Sequence, residues 1–195
     1  MNDLSTRVGT ILNGTASGMA PMAIFTPVYG VGGIVAWPIP GAVVFALALA
    51  WSIFLALTAR TLFRLGEELP HEKNAADARI TKWMGIVSGI QGVAILGSIV
   101  VLALIGQWVW IMPVVALIVG LHFLPMPAIF GRRIDYFLGA AMLVVAIIGM
   151  VLTVQQLPWQ QVWALTGFDA AAVTSAYGLY MVLTALSVRR AYAAL

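Results

Sequence analysis

Apolar residues fill six long runs of this chain, and most polar residues gather between them. The runs extend from about residue 8 to 28, 41 to 63, 83 to 105, 109 to 130, 136 to 154 and 169 to 188. Each has roughly 20 residues, the number a helix rising 1.5 Å per residue needs to cross a hydrocarbon core of about 30 Å. The pattern predicts an all-α fold, a polytopic integral membrane protein built as one six-transmembrane-helix bundle over residues 1–195. Residues 64–82 make the one sizeable polar connection, in which Glu67, Glu68, Glu72 and Asp77 balance four basic residues. Pro70 interrupts it. Asn74 followed by Asp77 resembles a capping box, so the third helix is expected to start at about Ala75.

Charge placement sets the expected orientation. The ten Lys and Arg residues stand at 7, 60, 64, 73, 79, 82, 132, 133, 189 and 190. The other connections, Tyr29 to Pro40, Gly106 to Trp108 and Gln155 to Phe168, carry none. By the positive-inside rule, both termini and the 64–82 loop are cytoplasmic and the expected location is a cell (inner) membrane. Trp37, Trp108, Trp110, Trp159 and Trp163 then fall at the outer boundary and Trp83 at the inner one, where indole rings favour the headgroup level. The opening segment contains Asn13, Ser17 and several glycines, too polar for a signal-peptide core, and reads as the first membrane helix. The chain divides into three hairpins that each end in basic residues. That division follows from topology, and no residue-level repeat accompanies it.

Composition narrows the chemistry. Hydrophobic residues make up 62% and charged residues 9%, against about 25% charged in a soluble domain, so no soluble surface can be built. The mean hydropathy of +1.01 agrees. There is no cysteine, which excludes disulfides, thiolate metal sites, iron–sulfur clusters and cysteine nucleophiles. The net charge of +3 comes from residues at helix ends, so it reflects membrane orientation and nucleic acid is not an expected partner.

Polar groups inside the runs mark helix contacts or function. In the first run Thr10, Asn13, Gly14, Ser17, Gly18 and Pro21 share one face, and Gly14 with Gly18 forms a small-xxx-small step. In the third, Ser88, Gln91, Gly92 and Ser98 share a face beside Gly85 and Gly89. In the sixth, Asp169, Ala176, Tyr177, Tyr180, Thr184 and Ser187 do so. The fifth run is apolar, and its Gly139, Ala146, Gly149 and Thr153 read as packing positions. His122 is the one histidine at membrane depth; Pro125 should kink its helix and free a carbonyl near Leu121. Asn13, Gln91, His122, Tyr180 and Thr184 fall in the inner half of the membrane. With Tyr177 they are the candidate substrate-binding residues of an inward-facing polar pocket. Asp169 and Asp135 read as helix N-caps. His71 near Glu67, Glu68 and Glu72 reads as part of a solvated loop, and no metal or cofactor is expected. Asn13-Gly14-Thr15 matches a glycosylation sequon, but at membrane depth. No HExxH, GxSxG or phosphate-binding glycine loop occurs, and no catalytic set is apparent.

The stretch Gly120-Leu121-His122-Phe123-Leu124-Pro125-Met126-Pro127, followed by Phe130 and Tyr136 to Gly139, resembles a segment of small uncharacterised bacterial six-helix membrane proteins with a Gly-x-His-Phe-Leu-Pro signature. The resemblance implies the same six-helix layout, directs attention to His122 and implies no activity. The leading functional reading is transport or conduction of a small solute or ion through the polar inner-half pocket. The alternatives are a non-catalytic membrane subunit that packs with a partner protein, and a lipid- or quinone-modifying enzyme using His122 as acid or base. Membrane lipids are expected partners, and the small-residue stripes also suit a second copy of the chain.

Overall fold

The computed structural model describes the backbone of residues 2–69 and 75–193, and their side chains apart from residues 2–5, 7, 75–79, 81, 192 and 193. The readings of Pro70, His71, Glu72, Lys73 and Asn74 fall outside these residues. The elements are α1 (Asn2–Ala36), α2 (Pro38–Glu68), α3 (Ala75–Leu104), a 3-10 turn (Trp108–Trp110), α4 (Ile111–Phe123), α5 (Met126–Phe130), α6 (Ile134–Val154) and α7 (Trp159–Ala193). Six spans among the described residues are long and apolar enough to cross a membrane; the fourth, Trp108–Phe130, joins the 3-10 turn, α4 and α5. The protein is an all-α, six-helix bundle with the make-up of a multi-pass membrane protein.

Two helices are longer than their glycines and prolines suggest. The sequence reading ends the first helix near residue 28 and opens the sixth at residue 169, whereas α1 runs on to Ala36 and α7 starts at Trp159. The glycines in these stretches do not break the helices; they let backbones touch. A methyl group at Gly41 would overlap the Gly33 carbonyl, and one at Gly167 would overlap the Tyr29 carbonyl. The connection between α1 and α2 is therefore Trp37 alone. Its amide donates to the Gly33 carbonyl at 2.9 Å, and its carbonyl accepts from the Gly41 amide at 2.6 Å. Pro38 and Pro40 open α2, where a missing N–H has no partner to lose.

These longer helices correct the placement of both acids read as caps. Thr166 lies against Gly149 and Tyr177 bonds Asp135 in the first turn of α6. Asp169 is thus level with the middle of α6, inside α7 and on its exposed face. Asp135 is not an N-cap; it is fully buried within α6. Past Tyr177, α7 continues to Ala193, about 24 Å at 1.5 Å per residue. At that end the start of α1 and the ends of α2 and α7 stand together with Arg189 and Arg190, and Arg60 and Arg64 lie in the last turns of α2; this is the basic end of the bundle. At the other end Trp37 packs on Phe168, and the Trp163 indole N–H donates to the Trp108 carbonyl at 2.9 Å.

The core runs along the seam of α1 and α7, with α2 on one side and α4 and α6 on the other. Ala16, Met19, Leu55, Ala116, Met142, Ala146, Ala170 and Met181 fill it. Small residues dominate because lipid tails are as apolar as Leu; helices in a bilayer gain from close packing and from interhelical hydrogen bonds. One such bond crosses the seam: the Thr26 hydroxyl donates to Thr174 Oγ1 at 3.0 Å, and Thr174 donates to the Ala170 carbonyl at 3.0 Å.

The third span stands apart. None of its described residues is buried, and among them no Cα of α3 lies within 8 Å of α1, α2, α6 or α7. It leans on α4, α5 and the 3-10 turn alone. Its Gly85, Gly89, Gly92 and Gly97 face open space, so this small-residue stripe is not a packing seam within the chain. The α1 stripe divides likewise: Gly18 abuts the Met181 side chain while Gly14 meets nothing.

Two glycine substitutions should separate the two kinds of contact. Gly41→Ala must push α1 from α2 and should destabilise by about 1–3 kcal/mol, as overpacking does. Gly89→Ala should be neutral or stabilise by up to about 1 kcal/mol through helix propensity. Thermal unfolding of both variants in lipid nanodiscs is the check; equal effects would contradict the close α1–α2 approach.

Candidate functional site

The detachment of α3 leaves a cleft of about 510 Å³ between α3 and the face of α1, backed by α4, α5 and α7. That size suits a small organic molecule. Its walls are mostly apolar: Met22 and Phe25 from α1, Met84 and Ile95 from α3, Val119 and Phe123 from α4. The polar groups are few. Ser17 comes from α1, Ser88 and Gln91 from α3, His122 from α4, Thr174 and Tyr177 from α7, and Arg132 from the turn before α6.

Arg132 reaches the cleft because of the chain's path after α4. Pro125 and Pro127 have no amide hydrogen for the carbonyls four residues back, so α4 stops at Phe123 and α5 is a single short helix. The kink expected at Pro125 is a full break. The Leu121 carbonyl is not left free beside the imidazole, since it accepts the Leu124 amide at 3.2 Å. Gly131 then takes φ +70°, a left-handed conformation that glycine adopts without a Cβ penalty. Its amide closes α5 on the Pro127 carbonyl at 2.8 Å. The next residue, Arg132, is turned back under the bundle.

There Arg132 meets Asp135. Its Nε lies 3.4 Å from Asp135 Oδ2, its guanidinium sits 4.4 Å from the centre of the Phe130 ring, and Nη1 approaches Met181 Sδ at 3.9 Å. The other Asp135 oxygen accepts the Tyr177 hydroxyl at 2.5 Å. A fully buried carboxylate requires such partners, because an unpaired buried charge costs several kcal/mol. The triad fixes Tyr177, whose ring also packs edge-on against Phe123 at 5.9 Å. The result is an apolar cleft whose end nearest the basic side carries a guanidinium and a phenol held in place.

His122 stands on the opposite wall. Its Nδ1 is buried and has no partner among the described residues.

Of the six residues singled out from sequence, Gln91, His122 and Tyr177 come together here. The other three do not line the cleft. Asn13 packs against Gly66 of α2 with its Oδ1 buried and unpartnered among the described residues. Tyr180 stacks beside Tyr177 at 6.3 Å between ring centres but is 40% exposed, outside the cleft. Thr184 lies two turns nearer the basic end and donates to the Tyr180 carbonyl of its own helix at 2.9 Å. Position along a helix follows from the sequence, but which helix lies opposite each residue does not. Sequence reasoning also missed Arg132 and Asp135, read as an orientation charge and a cap. Their i, i+3 spacing after a glycine was the available signal. Compared with known proteins, the chain matches no family model, no curated protein and no solved structure.

The triad makes a measurable claim. Tyr177→Phe leaves one buried carboxylate oxygen without a donor and should cost about 1–3 kcal/mol. In a double-mutant cycle with Asp135→Asn, the pair should show a coupling of at least about 0.5 kcal/mol by thermal unfolding in nanodiscs. Additive effects would mean that the hydroxyl and carboxylate do not meet.

Proposed function

We propose that this protein binds a small molecule with one polar end and an apolar body in the α1–α3 cleft, and carries it between the bilayer interior and the basic end of the bundle. The carrying observation is the asymmetry of the cleft. Apolar side chains line most of it, Arg132 and Tyr177 stand at one end, and the gap between α1 and α3 opens it sideways. A ligand entering from lipid would keep its apolar body against Phe25, Met84 and Ile95 while its polar end meets Arg132. Such a site does the work of a carrier: it lets a polar group leave water without losing its hydrogen bonds.

A second reading rests on α3 itself. Its glycine face, Gly85, Gly89 and Gly97, meets nothing within 4 Å, and helices approach closely over such faces. A partner membrane protein lying on α3 would make the chain a subunit instead of a carrier.

One pair of variants separates the readings. Gly92 lines the cleft and Gly97 does not, and both face open space, so a large side chain at either should leave folding intact. A palmitic acid bearing a diazirine, photolysed in proteoliposomes, should label peptides of α1 and α3. Gly92→Trp should reduce that labelling about tenfold or more, the effect of about 1.4 kcal/mol, and Gly97→Trp should not. Equal labelling in wild type and Gly92→Trp would reject the cleft as a binding site.

A further inference from the structure

A second cavity, of about 560 Å³, lies at the basic end among the start of α1 and the ends of α2 and α7. It shares no lining residue with the α1–α3 cleft. Its walls are apolar, made by Val8 and Leu12 of α1, Leu65 of α2 and Leu186 of α7, and its rim is charged, with Arg189 and Arg190. We propose that this cavity is a binding site for an anionic glycerophospholipid, whose phosphate meets Arg189 and Arg190 and whose acyl chain follows the leucine wall into the bilayer.

Three observations carry the assignment. Neither guanidinium is paired with a carboxylate among the described residues, where the ion pair is Arg132–Asp135. Both arginines line the cavity on the last turns of α7, where they supply the positive charge that a phosphodiester requires. The apolar wall is also continuous with the outer surface. Leu186 lines the cavity and is 41% exposed, and Leu183, one turn back on α7, is 55% exposed. A chain leaving the groove therefore meets lipid-facing leucines and no polar barrier. Glu68 at the rim removes one unit of charge and can accept a hydrogen bond from a hydroxyl-bearing headgroup. The site thus favours a singly charged lipid such as phosphatidylglycerol over one with further phosphates.

The test uses the full chain in mild detergent, with bound lipid counted by native mass spectrometry during titration with phosphatidylglycerol or phosphatidylcholine. Phosphatidylglycerol should be held about tenfold more tightly, a difference of about 1.4 kcal/mol. R189Q/R190Q should abolish the preference. L186W, which fills the groove and keeps both arginines, should weaken binding of the lipid as well. R60Q/R64Q removes two exposed arginines at the same end that lie outside the cavity, and it should keep the preference. Free sn-glycerol 3-phosphate at equal concentration should not displace the lipid. The proposal is overturned by an absent preference, by equal loss in R60Q/R64Q, by an inert L186W, or by displacement with glycerol phosphate, which would mark a site for a soluble anion.

Discussion

A buried carboxylate in a bilayer protein has to be held, and the arrangement around Asp135 is what orders the functional half of this one. Tyr177 reaches it from α7 and Arg132 from the turn that precedes α6. Low polarity strengthens each of these bonds and makes each hard to lose. Together they tie α6 to α7 and draw a guanidinium under the bundle that would otherwise extend towards water. The Phe130 ring and the Met181 sulfur complete its surroundings. Everything polar at the end of the α1–α3 cleft depends on this anchoring, because neither Tyr177 nor Arg132 would keep its direction without the carboxylate between them.

The cleft itself is a consequence of unequal packing. Glycines draw α1, α2 and α7 into backbone contact, at Gly41 against Gly33 and Gly167 against Tyr29. α3 carries Gly85, Gly89, Gly92 and Gly97 but has no helix opposite them. The same residue type therefore does opposite things in one chain: on α1 it closes a gap, and on α3 it lines one. A helix that leans only on α4, α5 and the 3-10 turn is also the element freest to shift, since few packed contacts oppose its movement. Closure of α3 towards α1 would cover Arg132, Gln91 and His122, which line the cleft between them.

The layout of the spans was legible in the sequence because it rests on run length, and lipid leaves a backbone few alternatives to a helix. Of the residues singled out within those spans, Gln91, His122 and Tyr177 do share the cleft. Asn13, Tyr180 and Thr184 do not, since a stripe on one helix says nothing about which helix lies opposite. Asp135 and Asp169 were misplaced by a local rule. An acid after a loop-like stretch suggests a cap, but α7 begins ten residues earlier than its glycine and tryptophans imply, and the buried pairing of Asp135 is a tertiary fact. Arg132 was hidden by its own regularity: it fits the charge pattern of a membrane boundary, and only the left-handed turn at Gly131 sends it inward.

The most direct test of this account is a high-resolution structure of the protein in lipid nanodiscs, inspected between α1 and α3. The account predicts elongated density in the cleft, its polar end within hydrogen-bonding distance of Arg132, with Asp135 bonded to Tyr177. A structure in which α3 packs against α1 along its glycine face, with the cleft absent and Arg132 directed to water, would contradict it.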